Sequence, residues 1–390
     1  MLKGREITVL GGGVAGLAAA TALARRGAGV TVLEQAPEIV EVGAGIQISP
    51  NGAKVLRALG QEEALRAVAL PAEAVELRDG PRGGAVLRFD LERHGHASGY
   101  WLVHRADLIA LLERAARSAG VDIVLGERVH RVAVAPDSVQ LDGTTRRAAG
   151  LVIGADGLHS VLRAALGGGA EAPRFTGQVA WRAVIPETGA AAPVAEVHMG
   201  PGRHLVSYPL RGGAARNIVA VEERSGWAAE GWHHRDDPEN LRAAFARFGP
   251  RVLGWLERVE TVNIWGLFRH EVAPRWHVGG QAALVGDAAH PTLPFMAQGA
   301  NMALEDAWVL AARLDSEPDP AAALAAYQAA RIGRVRRIVA VAERNARAYH
   351  LRAPLRPVAH VLLRIGARIA PDAPLRRLDW LYGHDVTRGG

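Results

Sequence analysis

The chain has 390 residues, of which 49% are hydrophobic and 22% are charged, values typical of an ordinary folded protein with one large core or two coupled domains. Its 46 Lys and Arg residues exceed its 40 Asp and Glu residues, giving a formal net charge of +6. The basic side chains are scattered, however, and no basic stripe is interleaved with aromatic residues, so we predict no nucleic-acid partner. The absence of cysteine excludes disulfides, thiolate metal ligands and a redox-active cysteine pair.

The N-terminal segment carries Lys3 and Arg5 before an apolar stretch, a pattern shared with secretory signal peptides. Four glycines interrupt this stretch, which continues directly into a strand pattern, so no targeting segment is expected. No run of about 18 uninterrupted apolar residues occurs, so we expect no stable membrane insertion. The cytoplasm is the expected compartment. A homodimer is a possible assembly, although no residue pattern specifies one.

The first 34 residues predict a strand over 7–10, a helix over 14–26 and a second strand over 30–33. The pattern Gly-x-Gly-x-x-Gly spans residues 11–16, and Glu34 ends the second strand, 18 residues after the last glycine. Such glycines allow a tight turn, backbone approach to a pyrophosphate and close packing of helix on strand, while the carboxylate accepts hydrogen bonds from a ribose. The pattern predicts a dinucleotide site, with a glycine-rich turn of an unliganded α/β fold as the alternative.

The remainder of the chain mixes two kinds of sheet with helices. Short buried-type strands continue the nucleotide-binding pattern, residues 175–225 alternate as in an antiparallel sheet, and almost everything beyond Gln298 has a helical pattern. We therefore predict an α/β fold in which an antiparallel sheet is inserted into a discontinuous nucleotide-binding domain. The predicted bounds are 1–73, 100–173 and 275–350 for the nucleotide-binding domain, 74–99 and 174–274 for the antiparallel-sheet substrate domain, and 351–390 for a C-terminal helical segment.

Two motifs, each at the end of a predicted strand, help to identify the dinucleotide that the chain binds. Gly-Ala-Asp-Gly at 154–157 and Gly-Asp at 286–287 each follow a predicted strand, where a carboxylate can accept hydrogen bonds from ribityl hydroxyls. Together with Arg105, they resemble the single-dinucleotide-domain (class A) flavoprotein aromatic hydroxylases. The resemblance extends from the first glycine motif to the segment 380–385. It is strongest with the salicylate hydroxylase, 3-hydroxybenzoate 6-hydroxylase and 6-hydroxynicotinate hydroxylase branch.

This resemblance implies a Rossmann-type FAD-binding domain that holds FAD without a covalent bond. It also implies NADH or NADPH as a transient electron donor, since the chain has no second dinucleotide motif. Reduced FAD would react with O2 to give a C4a-hydroperoxide, which hydroxylates a small electron-rich aromatic substrate. The implied FAD-binding residues are Gly11, Gly13, Ala15, Gly16, Glu34, Gly45, Arg105, Val129, Asp156, Gly286, Asp287, Gly299, Ala300 and Asn301.

A ring made electron-rich by ionisation requires a group that accepts a phenolic proton. His204 and Tyr208 are four residues apart on a predicted strand, which places both on one face. The resemblance implies such a His/Tyr pair at the substrate, together with a glutamine that contacts it, Gln298. The alternative is that His204 and Tyr208 are unrelated surface and core neighbours. Gln47 stands where the hydroxynicotinate type carries a histidine, which departs from the pattern for that substrate.

Two further features have competing interpretations. His233 and His234 are candidate metal ligands, but adjacent histidines on one segment point apart and no carboxylate–histidine spacing accompanies them, so we predict no metal. Residues 355–369 form a basic amphipathic helix. We expect this helix to pack onto the body of the protein, with membrane contact as the alternative.

The sequence therefore predicts an FAD-dependent monooxygenase that uses NAD(P)H and O2 to hydroxylate a small hydroxylated aromatic or heteroaromatic acid. A urate-type or quinone-precursor hydroxylase on the same scaffold is an alternative. A non-catalytic flavin-binding protein is another, and it would have no need of His204, Tyr208 and Gln298.

Overall fold

The computed structural model describes residues 1–39, 44–93, 99–167, 173–187, 191–224, 226 and 234–388. A six-stranded sheet lies at the centre of the first layer, in the order β19-β20-β12-β1-β2-β8, and only the edge strand β19 is antiparallel to its neighbour. Its strands are apolar runs, as expected where helices cover both faces of a parallel sheet. They are β1 (Glu6–Leu10), β2 (Gly29–Leu33), β8 (Asp122–Val124), β12 (Leu151–Gly154), β19 (His277–Val278) and β20 (Ala282–Leu284).

Helices and two small antiparallel sheets complete this layer. α1 is buried along most of its length and packs against α4 and α8, which gives the largest apolar core of the molecule. The helices are α1 (Val14–Ala24), α2 (Pro50–Ala58), α3 (Glu62–Val68), α4 (Arg105–Ser118), α5 (Val161–Ala165), α8 (Gly299–Ser316) and α9 (Pro320–Tyr349). The small sheets contain β3 (Gly45–Ile48), β4 (Ala69–Pro71) and β7 (Trp101–His104), and β9 (Arg131–Val134), β10 (Val139–Asp142) and β11 (Arg146–Ala149).

The second layer is an eight-stranded sheet in the order β17-β18-β13-β16-β15-β14-β5-β6. It is antiparallel as predicted, except that β14 runs parallel to β5, because β5 belongs to an earlier segment of the chain that joins the sheet beside β14. Two short helices cover its outer face and form a separate apolar core with it. The elements are β5 (Ala74–Asp79), β6 (Ala85–Asp90), β13 (Arg174–Pro186), β14 (Val194–Gly200), β15 (Arg203–Leu210), β16 (Ala215–Glu223), β17 (Arg235–Asp236), β18 (Val262–Arg269), α6 (Pro238–Phe245) and α7 (Pro250–Glu257).

The C-terminal segment contains α10 (Leu355–Ile369), α11 (Ala373–Arg376) and α12 (Asp379–Tyr382). α10 packs onto the body as predicted, but not through its apolar face. Asp79 accepts hydrogen bonds from Arg356 at 3.1 Å and from His360 at 3.1 Å, so the polar face of the helix lies against the second layer. The apolar face is exposed, with Leu362 63% and Ile369 79% accessible.

Candidate active site

A cavity of roughly 1000 Å³ lies between the two layers. One end is lined by the carboxyl ends of the parallel strands and the turns that follow them, where open α/β sheets bind their ligands. The other end is lined by the eight-stranded sheet and by the segment that leads into α8. The cavity therefore brings together predicted dinucleotide residues and predicted catalytic residues that are far apart in the chain.

The turn between β1 and α1 forms one wall of this cavity. Gly11 has φ +100°, and a Cβ atom there would lie 2.6 Å from the carbonyl oxygen of Ala155. A Cβ atom on Gly16 would overlap the carbonyl oxygen of Gly11, so glycine at this position allows α1 to pack directly on the turn. Gly13 is different, because a Cβ atom there would meet no protein atom within 4 Å and would project into free space. The residues thus fit a pyrophosphate that approaches the backbone at the N-terminus of α1.

Glu34 follows β2 and lies beside the glycine turn. Its two carboxylate oxygens accept hydrogen bonds from the backbone N–H of Gly12 at 2.6 Å and of Ala36 at 2.8 Å. These bonds fix the carboxylate at the edge of the cavity, where the ribose of a bound dinucleotide would donate to it. Arg105, at the start of α4, and Val129 line the same end of the cavity, together with Ala15.

Asp287 follows β20 and projects into the middle of the cavity. Its side chain is exposed to the cavity although it lies deep within the molecule, and this desolvated position raises its pKa. The preceding Gly286 has φ +59°, and a Cβ atom there would lie 2.8 Å from the Cβ of Ala15. Gly286 therefore lets the strand end approach α1, and this places the Asp287 carboxylate where it can accept hydrogen bonds from a ribityl chain.

Asp156 also lines the cavity, but one of its carboxylate oxygens is hydrogen-bonded to the protein backbone. Its Oδ2 accepts from the backbone N–H of Val161 at 2.8 Å, at the start of α5, whereas its buried Oδ1 has no protein partner among the described residues. Burial raises the pKa of Asp156, opposed by hydrogen bonds that include the Ser160 side chain. The Oδ2 oxygen thus organises the loop that leads into α5.

The N-terminus of α8 points at the cavity through Gly299 and Ala300, both of which line it. A Cβ atom on Gly299 would come no closer than 3.6 Å to any atom, so the fold itself does not require glycine here. The 18-residue helix places about half a positive charge at this end, which would stabilise an anionic ring placed against it.

Asn301 was predicted to bind FAD but does not line the cavity. It is fully buried, and its amide is engaged by the backbone N–H of Ser49 at 2.9 Å and by the carbonyl oxygens of Gln47 at 3.1 Å and Ala297 at 2.7 Å. Gly16 and Gly286 likewise lie behind the cavity wall, where they permit close packing. Asn301 ties the start of α8 to β3 and α2, because its hydrogen bonds cross between these elements.

Gln298 lines the cavity, yet its amide is held by the protein. Its Nε2 donates to the Ser49 hydroxyl at 2.9 Å, and its Oε1 accepts from Asn51 at 3.2 Å. Asn51 also donates to Glu305 at 2.7 Å, so Gln298 is the outermost member of a buried polar cluster beneath α8. The cluster holds Gln298 in a defined orientation toward the cavity.

That cluster continues into a set of largely buried ion pairs. Arg331 of α9 contacts both Glu305 and Asp306 of α8, and Arg334 donates to Glu305 at 2.8 Å. Burial would raise the pKa of Glu305, but the two guanidinium groups and the Asn51 amide lower it to about 2. These charges hold α8 and α9 together behind the site.

His204 and Tyr208 both lie on β15 and both line the cavity, so the shared face predicted from their spacing is present. Burial lowers the pKa of His204 well below its usual value, with His350 adding to the effect. The imidazole is therefore neutral at pH 7 and has one ring nitrogen without a proton, which can accept a hydrogen bond. Burial raises the pKa of Tyr208, which stays protonated and can donate a hydrogen bond. Gly45 allows this tyrosine to approach β3, since a Cβ atom there would lie 2.5 Å from its ring.

Sequence reasoning missed Arg182 of β13, which lines the cavity near Tyr208 and stacks on the Trp265 ring at 4.3 Å from its centroid. The only signal in the sequence is a charged residue between Trp181 and Ala183, within the apolar second half of the strand. The rest of this end of the cavity is apolar and was also not predicted. It consists of Val206, Val219, Val221, Trp265, Leu267 and Leu293.

Comparison with known proteins identifies the class. Residues 5–342 match the FAD binding domain family, and the chain belongs to that family. The chain is an FAD-dependent monooxygenase of the aromatic hydroxylase class that draws electrons from NAD(P)H, and the prediction of FAD as the cofactor is confirmed.

Individual relatives resemble the chain over nearly its whole length. The 3-amino-4-hydroxybenzoate 2-monooxygenase of Streptomyces cremeus is 37% identical over 97% of this chain and 95% of its own length. The 3-hydroxybenzoate 6-hydroxylase of Polaromonas naphthalenivorans is 35% identical over 97% of this chain and 96% of its own. The structure of Klebsiella pneumoniae HpxO complexed with FAD and uric acid superimposes with a TM-score of 0.82 at 30% identity, covering 95% of both chains. These comparisons confirm the predicted family and fold class.

The sequence predicts no metal site and no membrane-spanning helix, and the described residues can be compared with both predictions. Among the residues that the structure describes, no three His, Cys, Asp or Glu side chains form a group that could hold a metal ion. His233 lies outside those residues. No helix in the described ranges is long and apolar enough to cross a membrane.

Proposed function

We propose that this monooxygenase hydroxylates a small phenolic aromatic or heteroaromatic acid, with His204 as the acceptor of the phenolic proton. The observation that carries the proposal is that one cavity joins the glycine cradle for FAD to a neutral histidine, a protonated tyrosine and an arginine within apolar walls. When bound and reduced by NADH or NADPH, FAD supplies the activated oxygen for this chemistry.

Each group at the reacting end has a part in this proposal. His204 withdraws the phenolic proton, which makes the ring electron-rich. Tyr208 donates a hydrogen bond to the substrate oxygen. The guanidinium of Arg182 presents N–H donors in a plane fixed by stacking on Trp265, an arrangement that suits a carboxylate. Gln298, held by Ser49 and Asn51, positions the substrate edge nearest α8.

The apolar walls around these groups restrict water at the reacting end. Val206, Val219 and Val221 project from neighbouring strands of the eight-stranded sheet, and Trp265 and Leu267 extend that wall along β18. Excluding water strengthens the hydrogen bonds made by Tyr208 and Arg182. It also reduces the side reactions that would consume the activated oxygen.

Urate-type hydroxylation is a second candidate. It is favoured by the similarity to HpxO, whose structure contains FAD and uric acid. Urate lacks a carboxylate, so Arg182 would contact a ring oxygen in that case. The two candidates therefore differ in the group that Arg182 contacts, which is a carboxylate in the first and a ring oxygen in the second.

The experiment that tests the proposal is anaerobic reduction of the bound flavin by NADH and by NADPH, with and without individual ligands. The panel contains hydroxybenzoates, amino-hydroxybenzoates, hydroxynicotinates and urate. We expect one phenolic acid to accelerate bleaching of the flavin band at least about 10-fold, because substrate binding aligns the site for reduction. Acceleration by urate alone would establish the second candidate, and reduction that is equally fast with no ligand would contradict both.

A further inference from the structure

A chain of hydrogen-bonded groups connects the reacting end of the cavity with the protein surface. His204 Nδ1 and His350 Nε2 are 2.7 Å apart, and His350 Nδ1 lies 3.0 Å from Glu223 Oε1. His204 and His350 are both buried, whereas the Glu223 side chain is 40% exposed. The three groups span the wall of the cavity from inside to outside.

Backbone hydrogen bonds hold these three residues together at one end of two neighbouring strands in the middle of the eight-stranded sheet. His204 lies on β15, Glu223 is the last residue of β16, and His350 directly follows α9. Gly202, in the turn before β15, donates its N–H to the His350 carbonyl oxygen at 3.1 Å and accepts from the N–H of Glu223 at 2.9 Å. The end of α9 is therefore fixed against the strand pair, which keeps the imidazoles in register.

The hydrogen-bond partners define how protons are arranged along this chain. Glu223 has no donor of its own when ionised, so His350 donates to it from Nδ1 and accepts at Nε2 from Nδ1 of His204. The Nε2 atom of His204 makes no hydrogen bond to a described residue and remains the acceptor on the cavity side.

Other charged and aromatic groups surround this chain. Arg352 donates to the second oxygen of Glu223 at 2.9 Å, Arg203 lies near His350, and Tyr349 and Phe295 pack on the His204 ring. Burial lowers the pKa of His350, with Glu223 opposing the effect. Both histidines are thus neutral at pH 7, as a relay that starts from an uncharged base requires.

We propose that His350 and Glu223 relay the phenolic proton from His204 to solvent. The O–H bond of the substrate breaks as its proton binds His204 Nε2. In the same movement His204 releases its Nδ1 proton to His350 Nε2 and His350 releases its Nδ1 proton to the Glu223 carboxylate, which exchanges with water, so that neither buried imidazole becomes charged. When the product oxygen regains a proton, transfer in the reverse direction restores both imidazoles to their starting tautomers.

This inference rests on the proposed function, because His204 must first accept the proton. The test uses the FAD-loaded enzyme and a hydroxy-nitrobenzoate ligand, whose phenolate absorbs visible light, and follows ligand ionisation after rapid mixing. We expect Glu223→Gln and His350→Gln to slow the ionisation of bound ligand about 10-fold or more, within the range for lost acid–base groups. Added imidazole should restore part of the rate, which a purely structural defect would not permit.

Glu222→Gln is the matched control. Glu222 precedes Glu223 on β16 and pairs with Arg203 and Arg224 instead of with the histidines. The Glu222→Gln enzyme should ionise the bound ligand at the wild-type rate. Wild-type ionisation rates and an unchanged pH profile of kcat in Glu223→Gln and His350→Gln would overturn the relay. Failure of any phenolic acid to bind or to be hydroxylated by the wild-type enzyme would instead overturn the proposed function.

Discussion

Arg182 is the side chain at the reacting end that most directly distinguishes one ligand from another. It is the cationic group placed beside Tyr208, and its stacking on Trp265 limits the orientations of its guanidinium plane. A charged hydrogen bond in such an environment contributes about 1.5–3 kcal/mol. Its effect should therefore depend on whether the ligand carries a carboxylate.

We expect Arg182→Met to weaken the binding of a hydroxybenzoate about 10- to 100-fold, the equivalent of one lost charge-assisted contact. Binding of phenol, which has the ring and hydroxyl but no carboxylate, should change little. Titration of the flavin absorbance with each ligand measures both constants. Equal weakening of the two ligands would show that Arg182 does not bind the carboxylate.

Sequence reasoning found the candidate residues whose pattern is local and missed those whose position depends on distant contacts. The glycines at 11 and 16 and the carboxylates at 34 and 287 follow strands at fixed spacings, so a motif reveals them. Arg182 and His350 have no such motif, because their partners are on other strands and helices. The role of the Asn301 amide in joining α8 to β3 was hidden for the same reason.

Glu305 should confer a specific sensitivity to acid. Its pKa is about 2 in the folded protein and about 4.5 in the unfolded chain, so the folded state is stabilised above about pH 4.5 and loses this contribution as the pH falls toward 2. Glu305→Gln should lower Tm at neutral pH, because Arg331 and Arg334 lose a buried countercharge. It should also make the decline of Tm between about pH 5 and about pH 3 shallower than in the wild type.

Glu62 provides a control for that experiment. Paired with Arg57 and Arg66 on the surface, it also has a pKa of about 2, but solvent and salt screen it. Glu62→Gln should leave the acid profile of Tm close to that of the wild type. Identical slopes for all three proteins would contradict the role assigned to Glu305.

At the scale of elements, α10 packs on the body through its polar face, whereas an ordinary surface helix packs through its apolar face. Its contacts with the body are polar, through Asp79 and through the Ala85 carbonyl oxygen, which accepts from Arg364 at 3.0 Å. The periodicity of residues 355–369 correctly predicts an amphipathic helix. It cannot predict which face is turned inward, since that depends on a carboxylate in a distant strand.

This arrangement predicts which substitutions detach the helix. Asp79→Asn should release α10, because both Arg356 and His360 lose a charged acceptor, and hydrogen exchange of the helix amides should become faster. Leu362→Ser should change the free energy of unfolding by no more than about 0.5 kcal/mol and leave that exchange unaltered, since the side chain is exposed. Faster exchange in Leu362→Ser would mean that the apolar face is what holds α10.

At the scale of the whole molecule, substitutions of Gly13 and Gly16, two glycines of one turn, should separate an effect on cofactor binding from an effect on stability. Gly16→Ala places a Cβ atom against the Gly11 carbonyl oxygen and should lower Tm even without FAD. Gly13→Ala adds an atom only to open cavity space, so Tm without FAD should be unchanged. FAD at about 100 times its Kd should stabilise the wild type by about 2.7 kcal/mol, and Gly13→Ala should lose most of that gain. An undiminished gain would show that the pyrophosphate lies elsewhere.

The order of strands in the parallel sheet has a consequence for how the protein is made. β1 pairs with β12 and β12 with β20, so the strands around the dinucleotide turn come from both ends of a long stretch of chain. A ribosome must extrude that stretch, and α8 after it, before the cavity has all its walls. Until then the edge of β12 stays unpaired and open to association with other chains. Flavin can therefore load only after β20 and α8 have been synthesised and have joined the sheet.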